Sequence, residues 1–169
     1  MIENKRILLV DDNRDIHDDF RKVLCAAAGA DHGDLDDLEL CLFGSVDSPI
    51  PAPSAHIRYE VDSAYQGEQA LEMVRVAQAE GRPYAMAFMD VRMPPGWDGI
   101  QTVQRIWEVD SEILIVICSA YSDYSWEKMV QQLGRNDRFL ILKKPFDNIE
   151  VRQCAMAVCF FRPNDSVGR

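Results

Sequence analysis

The sequence predicts an α/β fold built on a doubly wound, mostly parallel five-stranded sheet, and three observations predict it. Short continuous apolar runs recur along the chain, stretches with apolar residues three and four apart lie between them, and the two patterns alternate through five β-α units. Runs apolar at every position, rather than at alternate ones, mark strands covered by helices on both faces.

The first unit opens with Ile7-Leu8-Leu9-Val10, stopped by Asp11-Asp12-Asn13. It continues with Ile16, Phe20, Val23, Leu24 and Ala27 on one helical stripe. The second pairs a strand near 57–63 with a helix whose face carries Ala70, Leu71, Val74 and Ala77. In the third, a strand over 84–89 leads through Pro94-Pro95-Gly96 into a helix bearing Ile100, Val103, Ile106 and Trp107. The β-branched run 113–118 and the stripe Trp126, Met129, Val130 and Leu133, ended near Gly134, form the fourth. A strand over 139–142 and a helix with Val151, Cys154, Ala155 and Val158 complete the fifth. Residues 29–56 break this rhythm, being rich in Asp31, Asp34, Asp36, Asp37 and Glu39 and then in Pro49, Pro51 and Pro53. They read as an insertion between the first helix and the second strand, with one short amphipathic turn over Leu35, Leu38, Leu42 and Phe43 and a linker after it.

With 169 residues, 47% of them hydrophobic and 27% charged, the chain suits one soluble globular domain. That domain is assigned to 1–161, with a short tail over 162–169. The longest apolar runs fall well short of the roughly 20 residues of a membrane span, and the N-terminus lacks a leader pattern, so a cytoplasmic protein without membrane contact is expected. Five cysteines without a C-x-x-C pair, and His17, His32 and His56 without ligand spacing, point to neither disulfides nor zinc. A net charge of -10 argues against direct nucleic-acid binding.

In an open parallel sheet, ligands sit beyond the carboxyl ends of the strands, where the chain order reverses. There the first strand offers Asp11 and Asp12, the third Asp90, the fourth Ser119 and the fifth Lys144. Three carboxylates that close cannot all stay ionised unaided, and a hard cation such as Mg2+, together with the lysine, would balance them. Such a set suits phosphoryl transfer to a carboxylate, with Asp90 as the nucleophile and Ser119 and Lys144 on phosphoryl oxygens. An acid pair at a strand end is also a common helix cap, and Asp12 or Asn13 can cap the first helix.

The motifs Val10-Asp11-Asp12-Asn13, Met89-Asp90-Val91-Arg92-Met93-Pro94, Asp98-Gly99, Ser119-Ala120 and Lys144-Pro145-Phe146 resemble those of bacterial response regulator receiver domains, over roughly residues 5–160. The resemblance implies a flavodoxin-like sheet with strand order 2-1-3-4-5. It further implies Mg2+ held by Asp12, Asp90 and the Arg92 backbone carbonyl, with Asp11 acting mainly through water. Ser119 becomes the switch hydroxyl, and Lys144, rather than Lys143, the lysine before a proline often joined in cis. The implied role is a two-component phosphoacceptor. It takes a phosphoryl group from a histidine kinase or phosphotransfer protein, catalyses only its own phosphorylation and dephosphorylation, and controls a partner or output domain.

Three features depart from the family pattern. The 93–99 loop is one residue longer, Ile141 stands where a switch aromatic usually lies with Phe139 two residues earlier, and the acidic insertion has no counterpart in a minimal receiver. With Ile141 there, movement of the backbone around 119–125 is expected to replace ring rotation. The eight-residue tail leaves no room for an output domain, so the expectation is a stand-alone receiver or a piece of a longer protein. Two other classes compete: a phosphohydrolase of the haloacid dehalogenase kind, whose Asp-x-Asp on the first strand is not matched here, and an inert module that has lost phosphorylation, against which the intact acid, serine and lysine set speaks.

Overall fold

The computed structural model describes residues 4–25, 57–120, 125–134 and 137–160. The insertion and the tail lie outside them. Among the described residues, five strands, β1 (Arg6–Val10), β2 (Glu60–Ala64), β3 (Met86–Asp90), β4 (Leu114–Ser119) and β5 (Phe139–Lys143), alternate with five helices. The helices are α1 (Arg14–Cys25), α2 (Gly67–Ala79), α3 (Gly99–Val109), α4 (Trp126–Leu133) and α5 (Asn148–Phe160). The sheet is parallel throughout, in the order β2-β1-β3-β4-β5 expected from the sequence.

Strand alternation divides the core. Leu8, Val10, Ala87, Met89, Ile115 and Ile117 face α2, α3 and α4, where Leu71, Val74, Val103, Ile106 and Met129 meet them. Ile7, Leu9, Met86, Phe88, Val116 and Cys118 face α1 and α5 and pack on Phe20, Leu24, Val151 and Ala155. Burial on both faces is why the strands read as unbroken apolar runs. Among the described residues, no helix is long and apolar enough to cross a membrane.

The strand expected near 57–63 starts later, most other strand ends shift by one or two residues, and one aromatic residue is more exposed than expected. The register pairs Arg6 with Glu60, so residues 57–59 run past the start of β1 and have no ladder partner there, although Tyr59 is buried. Trp126, expected in the core, is 49% exposed. It is the first residue of α4, and its ring lies on Phe139, with centroids 5.4 Å apart.

Helix ends follow local chemistry. Asn13 accepts a hydrogen bond from the Asp15 N–H at 3.0 Å, so Asn13, not Asp12, caps α1. Asp98 caps α3 through the Gln101 N–H at 2.8 Å. Gly134 ends α4 with φ 65°, the left-handed position that favours glycine. Asp147 and Glu150 cap α5 reciprocally, the Asp147 N–H donating to Glu150 at 2.7 Å and the Ile149 N–H to Asp147 at 3.2 Å.

At the start of α3, the Gly99 N–H donates to the Val91 carbonyl at 2.8 Å. A Cβ on Gly99 would lie 2.2 Å from the Asp90 carbonyl oxygen and 2.9 Å from the Val91 Cα. Both neighbours are backbone, so neither can swing aside. Gly99→Ala is therefore expected to cost roughly 2 kcal/mol or more of unfolding free energy, the scale of overpacking a close contact. Urea denaturation checks this, and unchanged stability would contradict it.

Candidate functional site

The chain winds from β1 outward to β2, then returns across β1 to begin β3 on the other side. The switch point therefore lies between the ends of β1 and β3, where a crevice opens beyond the strands. Asp11 and Asp12 follow β1 directly, and Asp90 is the last residue of β3. Carboxylate oxygens of Asp11, Asp12 and Asp90 all lie within 4.8 Å of one another. Asp11 and Asp90 are buried, while Asp12 is exposed at the mouth.

Lys144 enters from the end of β5, its Nζ donating to Asp90 at 3.0 Å and standing 3.5 Å from Asp11. It shares strand parity with Leu142, which packs on the α1 and α5 side, whereas Lys143 is exposed. This brings Lys144 to the carboxylates, and the Lys144-Pro145 bond is cis. The Asn13 N–H secures the Asp11 carboxylate at 2.9 Å.

Three carboxylates against one ammonium leave the cluster two negative charges in excess. Burial pushes the Asp90 carboxyl above its ordinary range, the charge on Asp11 adds to this, and Lys144 only partly opposes them. Burial alone would lower the Lys144 ammonium, but the Asp90 hydrogen bond and the charges of Asp90 and Asp11 outweigh it and hold it protonated. A divalent cation would neutralise the remainder, and oxygen donors of this kind suit a hard ion such as Mg2+. The donor set fits that group.

Ser119 is buried at the end of β4, where its carbonyl accepts from the Lys144 N–H at 2.9 Å. Its hydroxyl donates to the Ala120 carbonyl at 3.0 Å. Ser119 thus joins the rim through the backbone, while its side chain has the parity of the α3 and α4 side rather than that of Asp90. Arg92 is exposed two residues beyond Asp90. Ile141 is half-buried and Phe139 is buried against Trp126.

Two contributors escaped the sequence reading. His17, which lacks zinc-ligand spacing, is buried against the Asp11 backbone. Gly99 is legible in the sequence only as half of the Asp98-Gly99 motif, and the close approach to the Asp90 backbone that requires it is not. A histidine on the buried stripe between Ile16 and Phe20 was the available signal for the first.

A family model described as the response regulator receiver domain matches residues 54–155. Sporulation initiation phosphotransferase F of Bacillus subtilis (strain 168) is 30% identical over 94 residues, covering 56% of this chain and 68% of that protein. Among solved structures, a CheY-like response regulator receiver domain protein from Methanospirillum hungatei JF-1 superposes with a TM-score of 0.59 at 18% identity, covering 92% of this chain and 94% of that one. The CheX–CheY–BeF3–Mg2+ complex from Borrelia burgdorferi gives a TM-score of 0.56 at 19% identity, covering 90% and 87%.

The raised Asp90 carboxyl has a consequence for stability. Its ionised form is worse off in the fold than in the unfolded chain. The associated cost is absent below the ordinary value of 3.8, builds as pH rises from there toward the raised folded value, and is fully present above it. Asp90→Asn removes that cost. The metal-free variant is expected to melt a few degrees higher than wild type at pH 7, the gain closing as pH falls toward about 4. A lower melting temperature at pH 7 would contradict this.

Proposed function

This chain belongs to the response regulator receiver domain family, and from that premise we propose that it accepts a phosphoryl group on Asp90 with Mg2+ bound beside it. The observation that carries the reading is the convergence of Asp11, Asp12, Asp90 and Lys144 at the switch point of the sheet. Asp12, Asp90 and the Arg92 carbonyl would hold the ion, with Asp11 supporting it through water. When bound, Mg2+ supplies charge neutralisation for the entering phosphoryl oxygens. The Borrelia complex, which holds Mg2+, supports this assignment by similarity of fold.

The donor is a phosphohistidine of a histidine kinase or phosphotransfer protein, since the family works in two-component signalling and the Bacillus relative is named a phosphotransferase. An Asp90 oxygen forms a bond to phosphorus as the phosphorus–nitrogen bond breaks. The imidazole nitrogen keeps the electron pair and takes up a proton. Lys144, already on Asp90, donates to a phosphoryl oxygen without leaving its place. Water reverses the modification at the same centre, so the catalysis is confined to the domain's own acyl phosphate, and the domain serves to control a partner or an attached output domain. A cytoplasmic location follows from such partners.

The signal leaves through the end of β4. Moving a two-state population from 1:99 to 99:1 needs about 5.5 kcal/mol of differential interaction, whereas one neutral hydroxyl hydrogen bond contributes about 1 kcal/mol. The Ser119 hydroxyl alone is too weak. The Lys144 N–H, bonded to the Ser119 carbonyl, couples any shift of the lysine to β4 directly.

Incubation with acetyl phosphate and MgCl2, read by intact mass, is expected to add one phosphoryl group to wild type and none to Asp90→Asn. In the phosphorylated sample, hydrogen exchange is expected to change over 114–134. Full labelling of Asp90→Asn would contradict the acceptor assignment, and exchange that changes only elsewhere would contradict the β4 route.

A further inference from the structure

His17 lies on the inner stripe of α1, 2% exposed, yet both of its ring nitrogens are engaged. Nε2 stands 2.7 Å from the backbone carbonyl oxygen of Asp11, and Nδ1 stands 2.9 Å from the Ser63 hydroxyl oxygen. A carbonyl can only accept, so the bond to Asp11 requires the proton on Nε2. Ser63 also accepts from the Arg21 guanidinium at 2.7 Å, which leaves the hydroxyl hydrogen to donate to Nδ1. The chain therefore runs from guanidinium to hydroxyl to imidazole to carbonyl, with one donor for each acceptor. Tyr65 covers the ring at 4.6 Å between centroids.

The carbonyl at the end of this chain belongs to the peptide between the two acids. That peptide is a rigid plane carrying both the Asp11 oxygen and the Asp12 nitrogen. Holding the oxygen sets the backbone rotation at which Asp12 leaves Asp11, and with it the position of the Asp12 carboxylate. The Asp11 carboxylate has its own restraints in Asn13 and Lys144. Asp12, exposed at the mouth, is oriented by its backbone.

We propose that His17 is a positioning residue for the divalent-cation site, donating to the Asp11 carbonyl so that Asp12 is held in place to bind the ion. The proposal rests on the Mg2+ reading above. Partners one step removed from a metal typically contribute 10–100-fold in affinity.

Mg2+ titration of the full chain by calorimetry tests it, with melting temperature recorded beside each affinity. His17→Gln carries an amide nitrogen at the reach of Nε2, whereas His17→Asn reaches only as far as Nδ1. His17→Asn is expected to bind Mg2+ about 10-fold more weakly, while His17→Gln stays within a factor of about 3 of wild type. A histidine that only fills the core would lower both melting temperatures and leave both affinities unchanged. Folded His17→Asn with wild-type Mg2+ affinity, alongside loss of binding in Asp12→Ala, would overturn the proposal alone. Wild-type affinity in Asp12→Ala would overturn the metal assignment and this proposal with it.

Discussion

Crowded negative charge at the switch point is the constraint on which the rest of the site depends. Asp11, Asp12 and Asp90 sit within 4.8 Å of one another, two of them buried, and Lys144 offsets only one charge. At such separations like charges disfavour each other's ionisation, and burial strengthens the effect. The free domain therefore holds Asp90 ionised at a cost. On the proposed reading a divalent cation supplies the positive charge that the cluster lacks, and the phosphoryl group, which itself adds negative charge, enters beside that cation and Lys144.

The fold supplies this crowding by topology rather than by local sequence. β1 and β3 are neighbours because the winding reverses between them, which places acids 79 positions apart in the chain at one rim, Asp11 beside Asp90. Small local devices then set the distances. Asn13 takes over the capping of α1 and leaves Asp12 at the mouth. Gly99 lets α3 approach the Asp90 backbone. The Lys144 N–H bond to Ser119 ties β5 to β4 at the same level as the site.

Much of this was legible in advance. Apolar runs located all five strands, and parity separated Lys144 from Lys143, because period-two alternation survives to the strand end. What resisted reading was set by tertiary partners. The strand near 57–63 could not be trimmed to Glu60–Ala64 without knowing where β1 begins. Whether Asp12 or Asn13 caps α1 depends on a hydrogen bond the spacing allows to either. Trp126 follows a helical stripe, yet stands half-exposed because it opens its helix. His17 looked like an isolated histidine until β2 brought Ser63 beside it. The family match begins at residue 54, so the acid pair of β1 joins the site through the fold rather than through the matched stretch.

Of the three neighbouring carboxylates, Asp90 is the one proposed to form the bond to phosphorus. Borohydride reduces an acyl phosphate to an alcohol and leaves free carboxylates alone, so it marks the acceptor residue covalently. Treating the phosphorylated chain in this way and sequencing its peptides by tandem mass spectrometry is predicted to give homoserine at position 90, with Asp11 and Asp12 unaltered. Homoserine at position 11 or 12, with residue 90 intact, would contradict it.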